Sequence, residues 1–230
     1  MAFIIINGVN SKTINGLLIQ SLPPISKPKV RTSIEEIDGR DGDIVTTLGF
    51  SAYDKTVSVG LKGDYDVDEV INFFNGSGKV IFSSEPDKYY NYAIYNQIDF
   101  SRLIRYRTAN VVFHVQPFKY AAEEPKAEFT DAFNIKLTNA GNTPSRPIMT
   151  VTGNGDIFVK VNFKSVLTLH LNNETMTINP EEMNAYINGN LANRQVVGDY
   201  SDLTLKSGSN SVEISGDVSK VTFEKYSRWI

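Results

Sequence analysis

The chain has 230 residues, of which 41% are hydrophobic and 21% charged, a composition that excludes a globally disordered protein. Residues 1–120 carry 13 basic and 13 acidic side chains and residues 121–230 carry 10 and 13, so neither half has the charge of a nucleic-acid-binding protein. The absence of cysteine excludes disulfides, thiolate zinc sites and cysteine nucleophiles.

The N-terminal segment MAFIIINGVNSK has an apolar run that is too short for a signal peptide or a membrane span. No basic residue precedes this run, as one would in a signal peptide. We therefore expect a first strand here, synthesis in a cytoplasm without export by the usual signal, and no membrane insertion.

Alternation of apolar and polar residues dominates the rest of the chain and predicts strands with one buried face, as in antiparallel sandwiches. The clearest stretches are KTVSVGLK, ANVVFHVQ, DIFVKVNF and VLTLHL. The side chains expected on the buried faces are Val57, Val59, Leu61, Val111, Phe113, Val115, Ile157, Val159, Val161, Phe163, Leu167, Leu169 and Leu171.

One segment, DYDVDEVINFFNGSGK, has helical spacing instead, with Val67, Val70, Ile71 and Phe74 on one side. Asp66 is the expected N-cap, Glu69 its capping-box partner, and the following glycines end the helix. We expect this short helix to cover one face of the N-terminal sheet. A second segment, INPEEMNAY, fits either a helix start or a turn, and the turn is favoured.

The segment YAAEEPKAEFTD is charged and contains a proline, and it separates two groups of predicted strands. The sequence therefore predicts a mainly β protein with two β-sandwich-like domains, residues 1–122, which include the helix, and residues 123–230.

The candidate sites for chemistry have simpler structural interpretations. Asp38, Asp41 and Asp43 lack the spacing of a calcium loop and fit a tight turn whose glycines adopt positive φ. His114 and His170 lie within strand patterns and are expected to be structural. No nucleophile or phosphate-binding motif is present, so we expect no enzyme and assign no catalytic, cofactor-binding or metal-binding residue.

Two surface clusters remain. Arg102, Arg105 and Arg107 form the one basic concentration, which suits a subunit contact better than nucleic acid because acidic residues lie among them. In the stretch NAYINGNLANRQ, an aromatic ring lies among amides and an arginine, as in sugar sites, although a polar hairpin is the favoured explanation. The candidate sugar contacts are Tyr186, Asn188 and Arg194.

Several ordered motifs resemble a known family. An early NG, the GRDG turn, the short helix, the EPDKYY element and the closing PFKY resemble the N-terminal domain of the distal tail (Dit) proteins, from long-tailed phages of Gram-positive hosts. The stretch NAGNTPSRPIMTVTGNGDI and the ending with SRWI are similar to that family's C-terminal domain. The resemblance covers essentially the whole chain.

This resemblance implies a structural protein of the virion tail tip, made in the bacterial host, whose N-terminal domains form a homo-hexameric ring. The C-terminal domain would be galectin-like or carbohydrate-module-like and would project outward. The ring would join the major tail tube protein to a tail-associated fibre or lysin protein and would carry receptor-binding or baseplate proteins.

A hub of this kind is the leading hypothesis, and a host cell-wall carbohydrate-binding module is the alternative. In the ring, edge strands with unpaired backbone groups are natural joining surfaces, and AFIIIN and the strand near RLIRYR are the candidates. The expected subunit-interface residues are Phe3, Ile5, Arg102, Arg105 and Arg107.

Overall fold

A computed structural model describes residues 2–102, 107–130 and 134–230. The chain divides into two compact units, Met1–Ala122 together with Ile230, and Glu123–Trp229. Both units are built mainly from antiparallel strands, which confirms the mainly β fold class.

In the described residues, the first unit contains the strands β1 to β10 and one α-helix. Their bounds are β1 Ile4–Ile6, β2 Val9–Asn10, β3 Leu17–Ser21, β4 Val30–Glu36, β5 Asp43–Phe50, β6 Tyr53–Leu61, α1 Val67–Phe73, β7 Gly76–Phe82, β8 Lys88–Ile94, β9 Ser101–Arg102 and β10 Arg107–Ala121. A 3-10 turn, Ser11–Thr13, lies between β2 and β3.

Apart from β4 and β5, the strands of this unit follow one hydrogen-bonded path, β2-β1-β7-β8-β10-β6-β3, with β9 added beside the start of β10. The sheet is curled, and its inner face forms a core around Phe113. The rings of Phe74, Phe82 and Tyr92 lie 5.3–6.3 Å from that of Phe113 in edge-on contacts. The inner-face residues predicted on β6 and on β10 are fully buried, so the alternation is confirmed there.

Helix α1 closes one side of this core, as the helical spacing predicts. The Asp66 side chain accepts a hydrogen bond from the Asp68 backbone N–H, at 2.9 Å, and so caps the helix. Val70 and Phe74 are buried, whereas Ile71, predicted on the same side, is 43% exposed. The helix has only two turns and buries a narrow stripe, which excludes Ile71.

The second unit contains the remaining strands. Their bounds are β11 Ala127–Phe129, β12 Ile135–Asn139, β13 Ile148–Val161, β14 Lys164–Asn179, β15 Asn184–Ile187, β16 Asn190–Leu191, β17 Val196–Gly198, β18 Gly208–Glu224 and β19 Arg228–Trp229, with 3-10 turns at Asn193–Gln195 and Tyr200–Asp202. The strand order is β11-β18-β13-β14-β15-β16, with β12 paired to β18 and β17 paired to β14.

The core of the second unit lies against the long strands β13, β14 and β18. Ile157, Val159 and Val161 on β13 and the three leucines predicted on β14 are buried, as the alternation indicates. The segment around INPEEMNAY is a turn, in which the Asn179 side chain accepts a hydrogen bond from the Glu181 N–H at 3.2 Å.

The alternation predicted that Phe163 is buried, and this prediction is wrong. Instead of continuing the buried face of β13, its side chain is 83% exposed at the tip of the β13–β14 hairpin. Asn162 and Phe163 form a two-residue turn with φ of 49° and 69°, a conformation that suits Asn-Gly but is costly for a bulky side chain. Asn162 starts the reversal because its side chain accepts from the Ser211 N–H and donates to Asn210.

The two turn positions predict mutational effects of opposite sign. Phe163→Gly should raise the free energy of unfolding of the second unit by about 1 kcal/mol, because it relieves the left-handed backbone strain. Asn162→Gly should lower it by about 1–2 kcal/mol, because two side-chain hydrogen bonds are lost. Urea denaturation of the two variants beside the parent protein measures both values; effects of the same sign would contradict this interpretation of the turn.

Candidate assembly and ligand surfaces

The hairpin of β4 and β5 forms a separate two-stranded sheet in the part of the chain that the structure describes. Ile34 lies directly opposite Val45, and Thr32 directly opposite Thr47, so these four side chains share one side, which we call the hairpin face. Ile34 and Val45 are each 60% exposed. An isolated two-stranded hairpin is marginally stable in water, so this face is suited to contact with another surface.

The GRDG motif lies at the far end of this hairpin. Asp38 and Asp41 are in the turn, and Asp43 begins β5. Gly39 and Gly42 have φ of 82° and 75°, so the expected glycine turn is confirmed. The motif therefore reverses the chain between two exposed strands.

The base of the hairpin is fixed to the core of the first unit. The Lys55 ammonium donates to the Pro24 carbonyl at 2.8 Å, and the Ser51 N–H donates to the Lys29 carbonyl at 2.8 Å. The rings of Phe50 and Phe118 meet edge to face at 5.6 Å. The segment before β4 and the end of β5 are thus both held, so the direction in which the hairpin leaves the core is set.

Lys55 belongs to a buried ionic cluster that the sequence patterns did not reveal. The Lys119 ammonium lies 2.9 Å from one carboxylate oxygen of Glu85, and the Tyr90 hydroxyl donates to the other at 3.0 Å. The Lys55 ammonium lies 5.1 Å above the Tyr90 ring. Burial lowers the pKa of Lys55, partly offset by the Glu85 charge, and burial raises the pKa of Tyr90.

The candidate interface residues of the first unit fall in two places. Phe3 precedes β1 and Ile5 lies within it; both are partly buried, whereas their neighbours Ile4 and Ile6 point into the core. The ammonium of Lys12 lies 4.5 Å from the Phe3 ring centroid. The AFIIIN strand is not the edge strand that was expected, because β2 pairs along its last two residues.

The described part of the arginine cluster is on the other side of the strands β7 and β8 from β1. Arg107 begins β10 and pairs in register with Arg102 of β9 on one side and Leu61 of β6 on the other. The side chain of Arg102 and the whole of Arg105 are outside the described residues. Ile5 on β1 and Arg107 on β10 are therefore on different strands of one sheet, so the surface with Phe3 and Ile5 and the surface at Arg107 are distinct.

Each histidine is paired with an aspartate on the neighbouring strand. His114 Nδ1 lies 2.8 Å from an Asp54 oxygen, and His170 Nδ1 lies 2.6 Å from an Asp156 oxygen. In both cases the two residues are directly opposite in the antiparallel register. These are cross-strand pairs of the kind that stabilise a sheet, in agreement with the structural interpretation of both histidines.

The second unit contains a groove of about 670 Å³ at the β15–β16 hairpin, which we call the Glu174 groove. Asn188 and Gly189 form the two-residue turn of that hairpin, with φ of 50° and 79°. The lining residues are Glu174, Ile187, Asn188, Asn190, Leu191, Ala192, Asn193, Arg194 and Gln195.

Two of the three candidate sugar contacts, Asn188 and Arg194, line this groove together, and Tyr186 does not. The Tyr186 hydroxyl instead donates to Glu182 at 3.0 Å. The sequence argument missed Glu174 because this residue is on β14, outside the Asn-rich stretch. Strand alternation by itself would not distinguish it from any exposed polar residue.

Solved structures with a similar fold include the two that follow. The Dit protein (gp 19.1) of phage SPP1, described as a paradigm of the hub adsorption apparatus in phages that infect Gram-positive bacteria, superposes with a TM-score of 0.72 over 100% of both chains at 16% identity. The chain therefore has the Dit fold. A chain of the phage P2 baseplate in its activated conformation with calcium matches with a TM-score of 0.50 over 97% of both chains at 7% identity.

The resemblance that the sequence motifs indicate is thus confirmed at the level of the fold. Searches against protein-family models and against curated protein sequences give no match. Among the described residues, no helix combines the length and the hydropathy needed to cross a membrane.

The buried ionic cluster should respond strongly to loss of one partner. Glu85→Gln should destabilise the first unit by about 3 kcal/mol, because it leaves the Lys119 charge buried without a counter-charge. Adding Lys119→Met should recover most of that loss, since the double variant has no unpaired charge at this position.

Asp87→Asn is the matched control, because Asp87 forms an ion pair with Lys88 while its side chain is 68% exposed. Its effect should stay below about 1 kcal/mol. Chemical denaturation of the three variants beside the parent protein completes the test. A Glu85→Gln effect as small as that of the control would show that the cluster is unimportant for stability.

Proposed function

We propose that this protein is a structural hub of a phage tail tip, in which six copies form a ring between the tail tube and the baseplate. The superposition on the SPP1 hub protein over the full length of both chains is the observation that carries the proposal. The baseplate chain of phage P2 supports the same assignment. In this role the protein acts by assembly and performs no catalysis.

The ring contact is proposed to join the hairpin face of one copy to the first unit of the next. A closed ring needs two different surfaces on each copy, because its contacts are head-to-tail. The hairpin face supplies one of them, and the surface with Phe3 and Ile5 or the surface at Arg107 is available for the other. An interface of roughly 1,600 Å² would suffice for a stable contact.

In this proposal the ring binds the major tail tube protein on one side and a tail-associated fibre or lysin protein on the other. Receptor-binding or baseplate proteins attach at the periphery. The protein would therefore be found at the tail tip of the virion. This architecture would be the same whether the sequence comes from a phage or from a prophage.

The oligomeric state tests the proposal directly. Light scattering should give six times the 25.6 kDa of one chain, and negative-stain images should show a six-fold ring with an open centre. Purified tail tube protein should be included in a second sample, because ring closure can depend on a partner. A monomer at every concentration in both samples would contradict the ring.

Ile34→Glu should abolish ring formation without unfolding the chain. The side chain at position 34 is 60% exposed, so the charge is harmless in the monomer but would be buried without a partner in the interface. Thr46→Glu is the matched control, because Thr46 is exposed on the opposite side of the same hairpin. Light scattering should show that the Ile34→Glu variant loses the ring and that the Thr46→Glu variant keeps it. Equal behaviour of the two variants would exclude the hairpin face as the contact.

A further inference from the structure

Several polar side chains that line the Glu174 groove have no hydrogen-bond partner among the described residues. One carboxylate oxygen of Glu174, Oε2, is covered from solvent and has no hydrogen-bond partner among the described residues. A buried acceptor without a partner loses the hydration of the unfolded state and gains nothing in return, so such atoms are rare in folded proteins. Glu174 also lines the open groove, so a ligand there would meet a carboxylate that no described residue binds.

The other polar side chains divide into those that build the groove and those that are free. Asn193 builds it: its amide donates to Asn184 and accepts from the Ala185 N–H at 2.7 Å and from the Tyr200 hydroxyl at 3.0 Å. The free group forms no side-chain hydrogen bond within the described residues. It consists of Asn188, Asn190, Arg194 and Gln195.

The side chains without partners are carried by a fixed backbone, which favours binding of a ligand to them. Asn188 lies in a two-residue hairpin turn, Asn190 begins β16, and Arg194 and Gln195 lie in a 3-10 turn that the Asn193 contacts fix to β15. Side chains on a fixed backbone lose less conformational freedom when they bind than side chains on a mobile loop. The groove is therefore already formed before any ligand arrives.

The combination of groups indicates the class of ligand. Three amides, a carboxylate and a guanidinium offer both donors and acceptors in planar pairs, which match the vicinal hydroxyls of a sugar, each both donor and acceptor. Ile187, Leu191 and Ala192 supply an apolar side for the C–H groups of a pyranose ring, and Leu191 is 67% exposed. The opposite charges of Glu174 and Arg194 cancel within the groove. Residues 121–230 are acidic overall, so binding of a polyanion to the groove is disfavoured.

We propose that the Glu174 groove binds a neutral, hydroxyl-rich saccharide, with Glu174, Asn188, Asn190, Arg194 and Gln195 as its hydrogen-bonding residues. The site is within the second unit and needs no residue of the ring contact. The proposal goes beyond the hub function: six grooves on one ring would add avidity to a contact that is weak for a single copy.

Binding is tested with the full-length protein on an array that contains neutral oligosaccharides of glucose, galactose and N-acetylglucosamine beside sialylated glycans and polyglycerol phosphate. Saturation-transfer NMR with the best neutral glycan then gives the affinity. Glu174→Gln and Arg194→Ala should each weaken binding about tenfold or more, the loss expected for one hydrogen bond to a charged group.

Asn188→Gly is a second variant, and it should fold like the parent protein because glycine accepts the φ of 50° at this turn. It removes one amide and should weaken binding several-fold. Glu182→Gln is the matched control for the carboxylate, since Glu182 is exposed and outside the groove, and it should leave the affinity unchanged. Circular dichroism of each variant confirms that it is folded.

Three outcomes would overturn the proposal. They are the absence of binding to any neutral glycan at about 10 mM, binding to polyanions alone, and binding that survives Glu174→Gln and Asn188→Gly unchanged. Light scattering of the same samples reports ring formation separately. Failure of sugar binding is thus distinguishable from failure of the hub proposal.

Discussion

The first unit depends on one buried carboxylate. Glu85 accepts from the ammonium of Lys119 on β10 and from the hydroxyl of Tyr90 on β8, and its charge also acts on Lys55 of β6. Lys55 in turn donates to the Pro24 carbonyl, at the start of the segment that leads into the β4–β5 hairpin. Because an unpaired charge cannot remain in a low-dielectric interior, the three strands and the segment are coupled. The same contacts that stabilise the core thus also set the direction of an exposed hairpin.

That hairpin explains why the first unit suits assembly. Its cross-strand pair Ile34–Val45 contributes to neither core of the chain, although aliphatic residues in such a pair usually pack against a neighbouring layer. A ring subunit buries surface twice, once on folding and once on assembly. In the proposed ring, the second burial would complete the hydrophobic contacts that the monomer leaves open.

The second unit achieves rigidity in a different way, through long strands closed by short turns. Asn210, almost fully buried, binds the Lys206 and Gly208 backbone and the Asn162 side chain, so one amide ties two turns together. Asn193 has the same function beside the Glu174 groove. Amides that bind the local backbone fix these turns, and the remaining amides of the groove are left available for a ligand.

The sequence by itself determined the strands β6, β10, β13 and β14, the helix α1, the glycine turn at the GRDG motif and the resemblance to the Dit fold. These features depend on local rules: alternation at Val57, Val59 and Leu61 and a capping side chain at Asp66 act between near neighbours in the chain. Only the tertiary structure decided which distant residues meet. The register of antiparallel strands brings Lys119 to Glu85 and Asp156 to His170, and it places Glu174 beside the Asn-rich hairpin. It also ends β13 at Val161, two residues before the alternation ends at Phe163. Phe163 is exposed as a result, because a chain reversal is set by partners such as Ser211 that no local pattern contains.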